Sequence, residues 1–152
     1  MRSLEACKVE STYSGQEFPE DGKITEEWIK TLINNMKNNI FIHKRYLMLM
    51  IQKVKEYYEK KESLVEINVE NDADFTICGD VHGQFYDLIN IFNLNGYPSE
   101  TNPYLFNGDF VDRGSFSVEV IVTLLAWKIL NPEFFHMTRG NHESKNLNKI
   151  YG

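Results

Sequence analysis

Three observations predict an α/β fold. From residue 74 onward, short β-prone runs alternate with helical patterns. Each such run ends in a glycine-flanked loop carrying Asp, His, Arg or Asn: "GDVHG" (79–83), "GDFVDRG" (108–114) and "RGNHES" (139–144). Charged residues make up 25% and apolar residues 42% of 152, the balance of a chain that buries one core.

The elements follow in order. Residues 1–23 are polar, with Gly15, Pro19 and Gly22, and read as a linker or docking arm; 24–152 read as one domain. Thr25, followed by Glu26 and Glu27, predicts a helix N-terminus, with Ile24 stapled to Ile29 across it. Trp28, Ile29, Leu32, Ile33 and Met36 form its apolar face. Asn38-Asn39 breaks the pattern before a second helix that reaches about Lys60, whose lysine-rich end, "KEYYEKKE", reads as a solvated face. "LVEINVE" (64–70) alternates apolar and polar residues, which predicts a half-exposed strand.

Phe75–Cys78 is a strand, and Phe85, Leu88, Ile89 and Phe92 line a helix ended by Asn95-Gly96. Tyr104–Asn107 is a strand. Ser117 then caps a helix with Val118, Ile121, Val122, Leu125 and Ile129 inward, stopped by Pro132. Phe134–Thr138 is the third strand, and a helical segment follows near Glu143.

Several function classes are excluded. Sixteen basic against twenty-two acidic residues leave a net charge of −6, which argues against a nucleic-acid or anionic-membrane binder. Cys7 and Cys78 are too few and too differently placed for a disulfide, so a reducing compartment, the cytoplasm or also the nucleus, is expected. No apolar h-region opens the sequence. Neither cysteine has an arginine six residues on (Gln84 and Tyr13 stand there), so a cysteine phosphatase loop is absent, as is a Walker A lysine loop.

In an alternating α/β arrangement, loops at the carboxyl ends of adjacent strands share one crevice. It would collect Asp80, His82, Asp109, Asp112, Arg113, Arg139, Asn141, His142 and Glu143. Three acids, two histidines and an asparagine suit divalent manganese, iron or zinc. Two ions about 3.5–4 Å apart acidify a shared water, and an arginine fork fits phosphate oxygens. Metal-assisted hydrolysis of a phosphate ester is the chemistry this implies. Against it stands a plain strand-end turn for each motif, with Asn141 as a turn residue and Asp112-Arg113 as surface decoration. Arg139 and Glu143 read as loop braces, His136 as a packed histidine, His43 as a helix-surface one. Tyr57, Tyr58, Phe134 and Phe135 read as core or interface.

"GDVHGQ", "GDFVDRG" and "RGNHES", in this order, resemble the phosphoprotein phosphatase family of serine/threonine phosphatases. "NLNGYPSETNPYLFNGDFVDRGSFSVEVI" and the opening "YSG…DGKIT" resemble its branch carrying tetratricopeptide repeats; the resemblance runs from about Tyr13 to Gly152. It implies a metallophosphoesterase (calcineurin-like) αββα sandwich preceded by two helices, of which only the amino-terminal half is present. It implies two divalent ions, with Asp80 and His82 on the first, Asp109 bridging and Asn141 on the second. His142 would be the general acid, Asp112 its hydrogen-bond partner and Arg113 the phosphate holder. The implied reaction is hydrolysis of phosphoserine and phosphothreonine in proteins by a metal-activated hydroxide.

The family's domain normally continues past the position of Gly152, carrying further histidine ligands and a second phosphate-binding arginine. A fragment with an open sheet edge and an uncovered face is therefore expected, with the regulatory repeats absent from it. Two alternatives stay open: another metallophosphoesterase acting on nucleotides, or an inactive fragment that binds a partner or competes for metal.

Overall fold

The computed structural model describes residues 7–69 and 74–151. The first six residues of the predicted arm, Glu70 of the predicted strand and the terminal Gly152 lie outside the described residues. The chain divides into two compact units, Met1–Glu66 and Ile67–Gly152.

In the first unit, α1 spans Glu26–Lys37 and α2 spans Lys44–Tyr58. The Thr25 hydroxyl accepts the Trp28 N–H at 3.1 Å, the predicted cap, and Ile29, Leu32, Ile33 and Met36 are buried along one face with Ile24 before it. Trp28 is only half-buried. Its indole N–H donates to the Glu17 carbonyl at 2.9 Å and its ring meets Phe18 edge-on, which fastens residues 17 and 18 to the unit. Asn39 turns the chain after α1 with a φ of 59°, a left-handed position that asparagine tolerates.

His43 is not the surface residue the sequence suggested. It is the N-cap of α2: its Nδ1 accepts the Arg45 N–H at 3.1 Å while Nε2 lies 2.9 Å from Glu10 Oε2. Tyr13 packs its ring edge on the imidazole and its hydroxyl accepts the His43 N–H. A histidine serves as a cap here because the segment around Glu10 and Tyr13 encloses it, which periodicity cannot reveal.

The second unit carries β1 (Thr76–Cys78), α3 (Phe85–Asn95), β2 (Tyr104–Phe106), α4 (Ser117–Leu130), β3 (Phe135–Met137) and α5 (Lys145–Tyr151). The strands form a parallel sheet in the order β1-β2-β3, with Cys78, Phe106 and Met137 in register at its carboxyl edge. The expected strand at 64–70 does not form over its described residues. Val65, Ile67 and Val69 stand exposed, and among the described residues no strand pairs with them to take the backbone groups that alternation alone cannot satisfy.

Phe92 of α3 gathers Tyr104, Phe106 and Trp127 around itself at ring distances of 5.6, 6.3 and 5.9 Å, and Tyr97 stacks on Trp127 at 5.3 Å. α4 keeps part of the predicted face, with Val122 and Leu125 buried, and departs from the rest. Val118 is exposed, Ile121 and Ile129 are half-buried, and Val120, Thr123, Leu124, Ala126 and Trp127 are fully enclosed. Burial runs nearly all the way round this helix, so its apolar residues carry little periodic contrast. Lys128 is buried there too, its ammonium donating to the Pro132 and Phe135 carbonyls at 2.7 and 2.8 Å. On the opposite side of the sheet Ile77 is 69% exposed. Among the described residues no helix is long and apolar enough to cross a membrane.

Both cysteines are free, Cys7 half-buried and Cys78 buried at the end of β1. Burial pushes the Cys78 thiol up from 9.0 to about 11. Its thiolate is thus disfavoured in the folded state, so its contribution to stability is intact below pH 9 and falls as the pH rises towards 11. A thiol reagent such as dithionitrobenzoate at pH 8 should modify Cys7 rapidly and Cys78 only after denaturation; equal rates would contradict this burial.

Candidate active site

Parallel strands present their carboxyl ends together, so β1, β2 and β3 deliver residues 79–83, 108–114 and 139–144 to one edge of the sheet. The loops are bonded backbone to backbone. Val81 and His82 donate N–H to the Asp109 carbonyl at 3.1 and 3.0 Å, Gly83 to the Phe110 carbonyl at 2.8 Å, and Gly114 to the His82 carbonyl at 2.9 Å. Such closeness demands glycine at four points, Gly83, Gly108, Gly114 and Gly140. A Cβ on Gly140 would lie 2.5 Å from the Asp109 nitrogen and collide with its carboxylate, and one on Gly114 would collide with the His82 carbonyl.

Four candidate site residues hold left-handed backbone: His82 (φ 44°), Asp109 (51°), Asp112 (69°) and Arg113 (66°). Each costs about 1–3 kcal/mol and persists only because its surroundings over-determine it. Part of that surrounding is Glu143. One of its carboxylate oxygens accepts the N–H groups of Asp109 and Gly140 at 2.8 and 2.9 Å; the other accepts that of Phe110 at 2.8 Å. Arg139 Nε donates to the Glu143 carbonyl at 3.2 Å, so both predicted braces are braces.

The two histidines differ in what their rings touch. His82 Nδ1 lies 2.9 Å from the Val111 carbonyl, which can only accept, so the proton sits on Nδ1 and Nε2 keeps a lone pair. That Nε2 is buried and has no hydrogen-bond partner, with Asp80 Oδ2 3.5 Å away. Both ring nitrogens of His142 are occupied: Nδ1 lies 2.9 Å from Asp112 Oδ2, and Nε2 lies 3.3 Å from Arg113 Nη2. The rings meet edge to face at 4.7 Å. Ligand atoms of His82, Asp109 and His142 all lie within 4.8 Å of one another, and the His142 N–H donates to Asp109 Oδ1 at 3.0 Å.

This donor set fits a divalent cation. An unshared imidazole lone pair buried beside carboxylates is costly to leave unsatisfied, and a cation satisfies both. Of the two histidines, His82 is the better donor, because His142 has already committed its nitrogens.

Of the residues proposed from sequence, Asp80, His82, Asp109, Asp112, Arg113 and His142 are brought together. Asn141 is exposed on the same loop, one residue before His142. Ser117 is not the N-cap of α4. It is the first helical residue, and its hydroxyl accepts the Asp112 N–H at 2.9 Å, because the left-handed turn at 112–113 swings that amide over the helix start. Neither this acceptor nor the Val111 carbonyl was visible in a motif, since both act through backbone geometry.

Comparison with known proteins follows the same division of the chain. The family described as Calcineurin-like phosphoesterase matches residues 73–152, and one described as PPP5 TPR repeat region matches residues 1–66. The expectation that regulatory repeats are absent thus meets a repeat-region match over the part that holds α1 and α2. Serine/threonine-protein phosphatase 5 of Homo sapiens is 52% identical over 149 residues, covering 98% of this chain and 30% of the relative. Its namesake in Arabidopsis thaliana is 54% identical over 145 residues, covering 95% and 27%. A solved Saccharomyces cerevisiae protein serine/threonine phosphatase, described as similar to human phosphatase PP5, superposes with a TM-score of 0.81 at 42% identity. It covers 85% of this chain and 42% of that one. The chain thus spans under a third of the length of these two curated relatives.

Two glycine substitutions separate contact from conformation. Gly140→Ala should lower stability by about 1–3 kcal/mol by forcing two backbones apart. Gly79→Ala, where nothing lies within 4 Å of the new methyl, should stay within about 0.5 kcal/mol of the parent. Urea midpoints measure both; equal midpoints would refute the close approach.

Proposed function

The chain belongs to the calcineurin-like phosphoesterase family, and from that premise we propose that it forms part of a protein serine/threonine phosphatase. Its reaction is hydrolysis of phosphoserine and phosphothreonine esters in proteins. The observation that carries this reading is the buried, unpartnered His82 Nε2 beside Asp80 and Asp109, on the edge where Arg113 and the Asp112–His142 pair also stand. The names of the relatives supply the substrate class.

Asp80, His82 and Asp109 would hold one divalent ion, and Asp109 with Asn141 would begin a second site; manganese, iron and zinc all suit these oxygen and nitrogen donors. When bound, such ions lower the pKa of a water and neutralise phosphate charge. The remaining work falls to this chain's own side chains. Arg113, exposed at the site edge, offers its guanidinium fork to the phosphate oxygens. With the Arg113 guanidinium turned from Nε2 to the phosphate, His142 in its doubly protonated form would give the Nε2 proton to the serine or threonine oxygen as the P–O bond breaks. Asp112 accepts the Nδ1–H and keeps the ring turned for that transfer.

In the full-length protein, His142→Ala should lower kcat on a phosphoserine peptide by about 100- to 10,000-fold while leaving manganese content intact. Asp109→Ala should empty the site of manganese by elemental analysis. Metal loss in the first variant, or full metal in the second, would reverse the assignments. Release of phosphate from a phosphopeptide, against none from a dinucleoside polyphosphate, tests the substrate class; the opposite preference would move the protein to nucleotide hydrolysis.

A further inference from the structure

Glu143 is a carboxylate with a peculiar set of partners, the backbone N–H groups of Asp109 and Phe110 from the loop after β2 and of Gly140 from the loop after β3. We propose that Glu143 is a positioning residue: by clamping these amides it aims the Asp109 carboxylate into the cluster. The inference rests on the metal-dependent reading of the site given above.

The geometry makes the clamp specific. Asp109 is held in a left-handed conformation, φ 51°, so its carboxylate direction is set by how its own N–H is anchored. The oxygen that anchors Asp109 also anchors Gly140, whose Cα lies so close to Asp109 that no side chain fits between them. Aimed this way, Asp109 Oδ1 accepts the His142 N–H at 3.0 Å, which joins the ligand cluster to the loop carrying His142. Glu143 itself is outside the group of converging ligand atoms, and Asp109 is the member of that group to which it is hydrogen-bonded. Its effect on metal is therefore assigned to Asp109. A glutamine can reproduce the oxygen shared by Asp109 and Gly140, but its NH2 would then face the Phe110 N–H, donor against donor. The two substitutions to glutamine and alanine thus differ in kind.

The experiment uses the whole chain, with amide hydrogen exchange by NMR and Mn²⁺ titration. In Glu143→Gln the Phe110 amide should lose protection while Asp109 and Gly140 keep it; in Glu143→Ala all three should lose it. Mn²⁺ affinity should fall by about 10- to 100-fold in the alanine variant and less in the glutamine variant. Should the alanine variant unfold, as circular dichroism would show, the glutamine pattern decides alone. Unchanged protection in both variants, or lost protection with Mn²⁺ affinity kept within twofold, would overturn the proposal. A parent chain that takes up no Mn²⁺ overturns the metal reading instead. The clamp is then judged on the His142 amide, whose protection by Asp109 should vanish in the alanine variant and whose persistence there would refute it.

Discussion

The active-site edge depends on backbone amides of one loop being satisfied by atoms of the next. Asp109 is the centre of this arrangement. Its carbonyl takes two N–H groups from the loop after β1, its own N–H goes to Glu143, and its carboxylate takes the N–H of His142. At about 1–3 kcal/mol each, the four left-handed residues cost about 4–12 kcal/mol between them, more than the roughly 2–6 kcal/mol that four inter-loop hydrogen bonds return at about 0.5–1.5 kcal/mol each. The loops therefore need the close glycine contacts and the aromatic core behind the sheet to hold one arrangement.

Where sequence reasoning succeeded, a local rule and the global fold agreed. Thr25 caps α1 because its hydroxyl reaches the Trp28 N–H, and Gly96 ends α3 because a φ of 78° suits glycine. The three strand-to-loop junctions were legible because each joins an apolar run to a glycine and a charged residue. The failures share a cause as well. Ser117 has the composition of a cap, but a backbone amide from five residues earlier claims it. The alternation at 64–69 has the composition of a strand, but a strand needs a partner and none of the three ordered strands pairs with it. α4 was assigned an inward face although nearly every face is inward.

Residue types marked the three loops, but not the different surroundings of their two histidines. Composition alone cannot tell His82 from His142, since both follow a loop glycine within a few residues. Their hydrogen bonds separate them. A carbonyl opposite Nδ1 fixes the His82 tautomer and leaves Nε2 as a bare donor, whereas a carboxylate opposite Nδ1 of His142 orients a ring whose other nitrogen already faces a guanidinium. One ring keeps a nitrogen unshared, whereas the other has a partner at each of its nitrogens.

Burial sharpens that division. Asp112 and His142 retain only 2% and 6% of their side-chain exposure, so each depends on the other for its hydrogen bond. Removing one partner would strand the other in a dry place, at a cost of about 1–3 kcal/mol. Asp80, by contrast, is 62% exposed and loses little by standing alone. The edge therefore grades from a closed acid–imidazole pair inside to an open carboxylate outside. Arg113 and Asp80 thus stand on the solvent side of the edge, with the His142 ring enclosed behind them.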